Sequence, residues 1–338
     1  MRDKNQYEPF NICLIGAGRI GQVHAGNLTL DPRLRLKYIC DVDAEAAARL
    51  ANTVGSQTAS IGSALDDTGT DGVVIASSTD THHELIADCI ERKLPVLCEK
   101  PLDLDYGRAA RSVELARTAG VPLFLGFNRR FDPSFSRIHQ EIRSGRFGSV
   151  EVLTIISRDP TPPPVDYVKR SGGIFRDMMI HDLDMSIWLL GETPNEVFAS
   201  GECHIDPDIQ EAGDVDTATV SMRAPSGALC QITNSRRCAY GYDQRVEAFC
   251  AHGMIRADNE SETRVEVGTR EGFVREPAHP FFLERYGEAY RRELAAFADV
   301  LEGKETSLAT GEEALQSLAL ADAAERSLRS RRAEVPES

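Results

Sequence analysis

The sequence predicts an α/β protein in two parts, an N-terminal doubly wound parallel sheet followed by an α+β domain with a mostly antiparallel open sheet. Two observations lead to this prediction. In residues 1–128, apolar strand segments alternate with helical segments, as is typical of parallel sheets. In residues 129–338, most strand segments follow one another directly, and several alternate apolar with polar residues. We place the domain boundary between these regions, with the C-terminal helices able to pack back on the first domain.

The overall composition argues against several classes of protein. The net charge of −15, without a clear basic block, argues against a nucleic-acid partner. No stretch approaches the roughly eighteen apolar residues of a membrane span, and "MRDKNQYEPF" lacks the apolar core of a signal peptide. The cysteines show no Cys-x-x-Cys spacing, and Cys13, Cys40, Cys98 and Cys250 lie in or beside strand-like runs. We therefore expect buried, reduced thiols in a cytoplasmic protein.

The first strand leads into a glycine-rich loop with a helix behind it. The strand "NICLI" runs directly into "GAGRIG", and a helical stretch follows. In such a loop Gly16 permits a tight turn, Gly18 lets main-chain N–H groups approach a pyrophosphate, and Gly21 lets helix and strand pack closely. Arg19 and Ile20 lie between these glycines. The order of strand, Gly-x-Gly-x-x-Gly, helix and strand predicts a dinucleotide site of the Rossmann type.

An acid follows the second strand at the position where the dinucleotide fingerprint expects one. The strand "RLKYIC" ends at Asp41, and a carboxylate there can bind the diol of a ribose. Asp41 and the nearby Asp43 would repel a 2′-phosphate, and the segment "DVDAE" offers no arginine to hold one. These residues therefore predict NAD rather than NADP as the cofactor.

Polar side chains follow the later strands of the first domain at the points where those strands end. The strands are predicted in "DGVVIASS", "PVLCEKP" and "VPLFLGFNRRF". Because the carboxyl ends of parallel strands meet at one edge of a sheet, these side chains should gather there. They are Ser77, Thr79, His82, Glu99, Lys100, Asn128 and Arg130. We predict that the first five contact the cofactor, although any one alone could be ordinary surface polarity.

The second domain is predicted to begin with a helix at about residues 133–143 and a strand in "SVEVLTIISRD". Further strands are predicted in "EVFASGEC", "VDTATVSMRA", "ALCQITNSR", "QRVEAFCAHGMIRA" and "TRVEVG". Their alternation predicts a sheet with helices on one face. Two helices, at about residues 282–302 and 311–331, complete the chain.

One helix of the second domain carries charged residues within an apolar pattern. In "SGGIFRDMMIHDLDMSIWLLG", a turn of about 100° per residue places four side chains in one narrow stripe between two apolar faces. The stripe consists of Asp177, His181, Asp184 and Trp188. Asp182 and Ser186 fall on a predicted solvated edge. Charged groups in such a stripe must be paired or must line a wet cavity. A structural Asp–His hydrogen bond, a helix cap by Asp177 and a metal site remain alternatives to a catalytic site.

These motifs together resemble the glucose–fructose oxidoreductase/inositol dehydrogenase/MocA family. The resemblance rests on "GAGRIGQVHAGNL", "CEKPLDLD", "FNRRFDPSF" and "SGGIFRDMMIHD", and it covers residues 11–327. It implies NAD-dependent oxidation of a polyol, and the last motif is most similar to members that convert myo-inositol to 2-keto-myo-inositol. It also implies a homotetramer joined through open sheet faces. The first ten residues form a nonmatching extension.

The resemblance assigns catalytic roles position by position. Lys100 matches the lysine of the family's Glu-Lys-Pro motif, and Asp177 and His181 match its Asp-x-x-x-His pair. The chemistry agrees with these roles, because an imidazole with a reference pKa of about 6.5 suits the removal of a hydroxyl proton. Asp177 can orient the imidazole, and Lys100 can hydrogen-bond the substrate oxygen. Asp184 matches an acidic residue of the family, and a structural hydrogen bond explains it equally well.

The resemblance further implies a set of substrate contacts, while other functions on the same fold stay open. The implied contacts are Asn128, Arg130, Asp159, Tyr242 and Tyr290. Scyllo-inositol or a pyranose sugar could replace myo-inositol as the substrate. An NAD-dependent glycoside hydrolase and a non-catalytic nucleotide-sensing regulator are the alternatives from other classes. We expect no resident metal, no nucleic acid and no membrane partner.

Overall fold

The structure is a computed structural model that describes residues 8 to 337 and divides into two compact units. The first unit contains residues 8 to 131 together with 288 to 315, and the second contains residues 132 to 287 together with 316 to 337. The chain therefore enters the second unit at Asp132, returns to the first at Glu288, and ends in the second. Residues 1 to 7 of the predicted N-terminal extension lie outside the described residues, and Phe10 already belongs to the first strand.

The strands and helices are numbered along the chain. The strands are β1 Phe10–Ile15, β2 Leu34–Cys40, β3 Gln57–Thr58, β4 Gly72–Ile75, β5 Val96–Cys98, β6 Leu123–Leu125, β7 Val150–Arg158, β8 Glu196–Glu202, β9 Thr217–Arg223, β10 Leu229–Ser235, β11 Asp243–Cys250, β12 Gly253–Ala257, β13 Glu266–Thr269, β14 Gly272–Arg275 and β15 Ala309–Thr310. The helices are α1 Arg19–Leu28, α2 Ala44–Val54, α3 Ile61–Asp66, α4 His82–Glu91, α5 Tyr106–Ala119, α6 Pro133–Arg143, α7 Val165–Ser171, α8 Ile180–Leu190, α9 Pro207–Glu211, α10 Phe282–Arg285, α11 Gly287–Leu301 and α12 Gly311–Ser330.

The first unit is built on a seven-stranded sheet with the order β15-β6-β5-β4-β1-β2-β3. The pairs from β6 to β3 are parallel, which confirms the predicted doubly wound sheet. Ile12, Cys13 and Leu14 of the central strand β1 are fully buried, as expected when helices cover both faces of a parallel sheet. The antiparallel edge strand β15 was not predicted, because two residues are too few to show a period.

The second unit is built on a six-stranded sheet with the order β12-β11-β7-β10-β9-β8. Only β7 and β10 pair in parallel within it, so the predicted mostly antiparallel sheet is confirmed. Strand β9 alternates buried and exposed residues along its length. Helix α8 packs against β7 on the covered face, and α6 contacts α8.

The predictions of three elements in the second domain were wrong in detail. The single strand predicted in "QRVEAFCAHGMIRA" is a hairpin of β11 and β12, since the chain turns at Ala251 and His252. The strand predicted in "TRVEVG" pairs only with β14, in a separate two-stranded sheet. The helix predicted at residues 282–302 is interrupted at Tyr286, which separates α10 from α11.

All eight cysteines are free thiols, and Cys13, Cys40, Cys98 and Cys250 are buried as predicted. Burial raises the pKa of the Cys98 thiol well above its usual range, which keeps it protonated and unreactive. None of the helices in the described part of the chain is long and apolar enough to cross a membrane.

Candidate active site

The glycine-rich loop after β1 has a backbone that accepts only glycine at two positions. Gly16 has a φ of +108°, and a Cβ atom there would lie 2.5 Å from the carbonyl oxygen of Ala76. A Cβ atom on Gly21 would lie 2.0 Å from the carbonyl oxygen of Gly16. Both distances are far below a van der Waals contact, so these glycines allow α1 to begin directly against the loop.

The N-terminus of α1 has the features of a pyrophosphate site. Gly18 is the N-cap residue, and no side chain caps the first turn of the helix. A Cβ atom on Gly18 would meet no atom within 4 Å, so the space in front of the helix is open to a ligand. The first N–H groups of a helix carry a partial positive charge that favours a phosphate. Arg19 in this turn is exposed, and Ile20 is half-buried.

Asp41 lies immediately after β2 and is held beside this loop. Its Oδ2 atom accepts a hydrogen bond from Ala17 N at 2.6 Å, and its Oδ1 atom accepts one from Asp43 N at 2.8 Å. The carboxylate is therefore fixed next to the glycine-rich loop, where the fingerprint places the ribose diol of a dinucleotide. These residues fit NAD.

The residues after β4 are tied to the loop after β5. The Ser77 and Thr81 hydroxyls are hydrogen-bonded at 2.7 Å, and Thr79 opens a 3₁₀ turn. The buried His82 ring lies between the carbonyl oxygens of Ser77, at 3.3 Å, and Pro101, at 3.0 Å. Burial lowers the pKa of His82, so the ring is neutral at pH 7. His82 thus braces two strand ends, and its direct contact with the cofactor stays a prediction.

Glu99 and Lys100 directly follow β5, and hydrogen bonds of the Glu99 side chain hold the main chain there. Glu99 is buried, its Oε1 atom lies 2.7 Å from His24 Nε2, and its Oε2 atom accepts a hydrogen bond from Lys100 N at 3.3 Å. Lys100 itself is half-buried. Helix α1 therefore supports the strand end that carries Lys100, through a histidine that the sequence reasoning did not single out.

Three predicted substrate residues of the first unit are buried among protein partners. Asn128 and Arg130 lie in the 3₁₀ turn Asn128–Phe131, and Arg130 Nη1 donates to Glu313 Oε1 at 3.0 Å. The Tyr290 ring packs edge-on against the His24 ring, with centroids 5.7 Å apart. Their predicted contacts with substrate stay predictions.

The predicted helix of the charged stripe contains a π-helical turn. Residues Phe175–Met179 form a π-helix that continues into α8, and Gly191 ends α8 with a φ of +78°. A π-turn closes i→i+5 hydrogen bonds and therefore changes the angle between successive side chains. It contains Asp177, so the angle between Asp177 and the stripe residues on α8 differs from that in a regular α-helix. A π-turn within a helix is often found at a functional site.

The prediction of a solvated edge on α8 was wrong. Asp182 and Ser186 are both 0% exposed, because this side of α8 packs on the six-stranded sheet. Asp182 Oδ1 accepts a hydrogen bond from Ser157 Oγ at 2.6 Å, and its Oδ2 accepts one from Asn234 Nδ2 at 2.8 Å. Ser157 and Asn234 are register partners on β7 and β10. The sheet thus supplies polar partners that a helical wheel cannot reveal.

The residues of the predicted stripe differ in burial. Asp177, His181 and Trp188 are half-buried, whereas Asp184 is buried. The Trp188 ring stacks on His139 of α6, with centroids 4.0 Å apart. The stripe therefore combines two half-buried polar residues, Asp177 and His181, with a buried acid and an indole that stacks on α6.

Asp177 is held by donors from two other elements. Its Oδ1 atom accepts a hydrogen bond from the Tyr167 hydroxyl at 2.8 Å, and its Oδ2 atom accepts one from Arg236 Nη1 at 3.4 Å. Arg236 is only 1% exposed and also lies 3.7 Å from the Asp214 carboxylate. Burial raises the pKa of Asp214, and the Arg236 charge opposes that rise. The Asp177 carboxylate, four residues before His181, therefore has a fixed orientation.

Sequence reasoning missed Tyr167, Asp214 and Arg236. Arg236 directly follows β10, so the strand-end rule applied to the first domain could have found it. Tyr167 lies in the short helix α7 and carried no signal.

The two remaining predicted substrate residues of the second unit lie in different surroundings. Asp159 directly follows β7, is half-buried, and donates its main-chain N–H to Ser235 O at 2.9 Å. It therefore lies at the same end of the parallel β7–β10 pair as Arg236. Tyr242 is buried with its ring edge-on to Tyr286 at 5.9 Å. The predicted substrate contacts of Asp159 and Tyr242 stay predictions.

Comparisons with known proteins match both units. The model of the oxidoreductase family with an NAD-binding Rossmann fold matches residues 10–127, and the model of the GFO/IDH/MocA C-terminal domain matches residues 135–256. An inositol 2-dehydrogenase of Rhizobium meliloti strain 1021 is 43% identical over 319 residues, covering 94% of this chain and 97% of the relative.

Two solved structures are similar along nearly the full length. A myo-inositol dehydrogenase from Corynebacterium glutamicum has a TM-score of 0.93 at 42% identity and covers 98% of this chain and 100% of its own. A scyllo-inositol dehydrogenase from Lactobacillus casei, with bound NAD(H) and scyllo-inositol, has a TM-score of 0.90 at 26% identity, with 98% and 100% covered.

Proposed function

Because this chain belongs to the GFO/IDH/MocA family of oxidoreductases, with an NAD-binding Rossmann domain, we propose that it oxidises myo-inositol to 2-keto-myo-inositol. The observation that carries the substrate is the 43% identity, over nearly the whole chain, to an inositol 2-dehydrogenase. NAD, when held by the glycine-rich loop and Asp41, would supply the acceptor for the hydride of the substrate carbon. The remaining chemistry is the removal of the hydroxyl proton and the stabilisation of the oxygen, for which we assign residues of this chain.

His181 is the proposed general base. It is half-buried on the first turn of α8, directly after the π-turn that carries Asp177. A neutral imidazole accepts the hydroxyl proton as the hydride departs. The adjacent Asp182 is locked to the sheet by Ser157 and Asn234, which fixes the backbone of α8 at this point.

Asp177 is proposed to orient the His181 ring and to stabilise its protonated form. Its hydrogen bonds from Tyr167 and Arg236 support this role. A carboxylate that is already fixed in position does not have to reorient when positive charge develops on the His181 ring. Lys100 is proposed to hydrogen-bond the substrate oxygen as it gains negative charge. The main chain of Lys100 is anchored by Glu99, which supports a defined position for its side chain.

Scyllo-inositol is the second candidate substrate, because the similar Lactobacillus casei structure contains that isomer. Both substrates need the same hydride and proton transfers, so they differ only in how the ring is held. The test is a panel of inositols and pyranoses, followed at 340 nm with NAD and with NADP. The proposal expects the highest kcat/KM with myo-inositol. A much higher value with another polyol would show that myo-inositol is not the preferred substrate, although the protein would still be a polyol dehydrogenase.

The same assay separates the other classes of function. A glycoside hydrolase would release a chromogenic aglycone from glycosides without net NADH formation from free inositol. A nucleotide-sensing regulator would bind NAD without turning over any polyol. NADH formation with free inositol therefore excludes the regulator and argues against the hydrolase.

A homotetramer is proposed from the open face of the six-stranded sheet. Met254, Phe249, Val152 and Leu229 are successive register partners across four strands, and Met254, Phe249 and Leu229 are 43–50% exposed. An apolar row of this kind favours contact with a second copy. Phe249→Asp should reduce the mass measured by light scattering, whereas Phe273→Asp, on the separate β13–β14 sheet, should not.

The free thiols support a reducing, cytoplasmic location.

A further inference from the structure

Three ionisable side chains meet inside the first unit, beneath the strand end that carries Lys100. His24 comes from α1, Glu99 follows β5, and Glu293 comes from α11. Their ligand-type atoms all lie within 4.8 Å of one another. His24 and Glu293 are 1% and 0% exposed, and Glu99 is 9% exposed. Two carboxyl groups and one imidazole therefore share a site almost closed to solvent.

The two glutamates of this cluster have unequal partners. Glu99 is hydrogen-bonded to His24 and accepts the Lys100 main-chain N–H. Both carboxyl oxygens of Glu293 lack a hydrogen-bond partner among the described residues. An isolated carboxylate in a buried site is very costly, and a buried carboxyl that cannot be paired becomes neutral instead. Glu99 is thus the better-supported carboxylate, and Glu293 is the better candidate for the neutral acid.

The surroundings of Glu293 support the same assignment. Burial raises the pKa of Glu293 well above its usual range, and the charge of Glu99 raises it further. The titratable groups that face it are His24 on α1 and Glu99 after β5. On its own helix, the Tyr290 ring packs against His24.

A metal ion does not account for this geometry. His24 Nε2 and Glu99 Oε1 are 2.7 Å apart, which is a hydrogen-bond distance. Two ligands held at about 2.0–2.2 Å from one tetrahedral ion stand farther apart than this, at roughly 3.3 Å. A proton between the two atoms fits the observed separation.

We propose that His24, Glu99 and Glu293 form one buried ionisable cluster, in which His24 and Glu99 share a proton and Glu293 is held as the neutral acid, and that this cluster positions Lys100 for the reaction. The positioning half rests on the proposed dehydrogenase function. The cluster acts through Glu99, whose carboxylate holds the Lys100 main chain on one side and His24 on the other. His24, Glu99 and Glu293 are therefore positioning residues.

The state of Glu293 is tested by thermal unfolding between about pH 5 and pH 9 with Glu293→Gln and with Glu288→Gln as the control. A carboxyl whose folded-state pKa lies above its usual 4.5 contributes stability at low pH that is lost as pH rises towards the folded value. Glutamine keeps the neutral form, so the Tm of Glu293→Gln should gain on that of the wild type as pH rises. Glu288 is on the same helix, but Arg291 and Arg292 lower its pKa. The Tm of Glu288→Gln should therefore not rise relative to that of the wild type as pH rises.

Infrared spectroscopy of the wild-type protein gives an independent reading that does not depend on a variant folding. The proposal expects the carbonyl stretch of a protonated carboxylic acid near neutral pH, and loss of that band in Glu293→Gln. Absence of the band at pH 7, together with parallel Tm curves for wild type and Glu293→Gln, would overturn the neutral-acid assignment. Neither measurement uses turnover, so both remain decisive if no polyol proves to be a substrate.

The positioning role is tested with His24→Leu, which removes the hydrogen bond to Glu99, and His24→Gln, which retains a donor. We expect kcat to fall on the order of ten- to a hundredfold in His24→Leu, because small misplacements of a reacting group are costly. His24→Gln should recover most of that loss. A merely structural role would lower Tm in both variants while folded molecules keep wild-type kcat, and that result would overturn the positioning half.

Discussion

Arg236 lies with its guanidinium 3.4 Å from the Asp177 carboxylate and is 1% exposed, so the proposed catalytic acid–base pair is supported by a buried cation. The same guanidinium lies 3.7 Å from Asp214. The positive charge of one arginine, directly after β10, thus faces the negative charges of two carboxylates. This arrangement places a buried positive charge beside Asp177 on a helix whose neighbouring faces are apolar.

Replacing Arg236 with Met should destabilise the protein. The substitution leaves Asp177 and Asp214 without their buried counter-charge, and breaking a buried ion pair costs about 3–5 kcal/mol. Urea unfolding monitored by circular dichroism measures the change. Arg237→Met is the matched control, since Arg237 is exposed and its loss should fall within about 0.5 kcal/mol of wild type. Equal effects of the two substitutions would contradict the buried pair.

Asp182→Ala should also destabilise the protein, because it leaves the Asn234 Nδ2 donor without its acceptor in the core and removes one of the two acceptors of the Ser157 hydroxyl. An unpaired buried donor costs about 1–3 kcal/mol, so a loss of about 1–3 kcal/mol is expected. Asp88→Ala, at an exposed position of α4, should be nearly neutral. The solvated edge predicted from sequence would instead make Asp182→Ala nearly neutral, so the free energy of unfolding distinguishes the two accounts.

Elements with strong local signals were predictable from sequence. The helix expected at residues 133–143 is observed at Pro133–Arg143, where Asp132 caps it and proline occupies its first position. The glycine-rich loop was predictable because Gly21 must pack against Gly16 within the same short segment, whereas the close approach of Gly16 to Ala76 depends on a distant strand end. Local chemistry determined the helix and the packing of Gly21.

Features that depend on distant partners could not be predicted in the same way. His24 and Glu99 are 75 positions apart, and no pattern in either segment indicates that they meet. Asp182 and Ser186 were assigned to a solvated edge because both are polar, whereas this side of α8 packs on the sheet and Asp182 is paired with Ser157 and Asn234. The hairpin of β11 and β12 was read as one strand because its turn, at Ala251 and His252, lacks an Asn-Gly or Asp-Gly signal.

Asp41→Ala should relax the preference for NAD over NADP. The carboxylate is fixed by Ala17 and Asp43, so it would stand close to a 2′-phosphate and repel it. Removing one such charge should change the ratio of kcat/KM values for the two cofactors on the order of tenfold or more. Steady-state kinetics with both cofactors measures this ratio, and an unchanged ratio would show that Asp41 does not select the cofactor.

The rate of the wild-type enzyme should rise with pH through a single ionisation. His181 must be neutral to accept a proton, and the reference pKa of histidine is about 6.5. Below that pH the imidazolium cannot act as a base, so kcat should fall about tenfold per pH unit. A profile of kcat against pH at saturating NAD and myo-inositol measures this. A flat profile down to about pH 5 would require a different base.

His181→Ala, assayed for both turnover and NAD binding, tests the assignment of His181 as the general base. We expect kcat with myo-inositol to fall by about 10²–10⁴-fold, the usual contribution of a general base. The Kd for NAD should stay close to wild type, because His181 lies outside the NAD-binding unit. His252→Ala, which removes an exposed histidine from the β11–β12 turn, should leave kcat unchanged. A folded His181→Ala variant that binds NAD and turns over at the wild-type rate would contradict the assignment of His181 as the base.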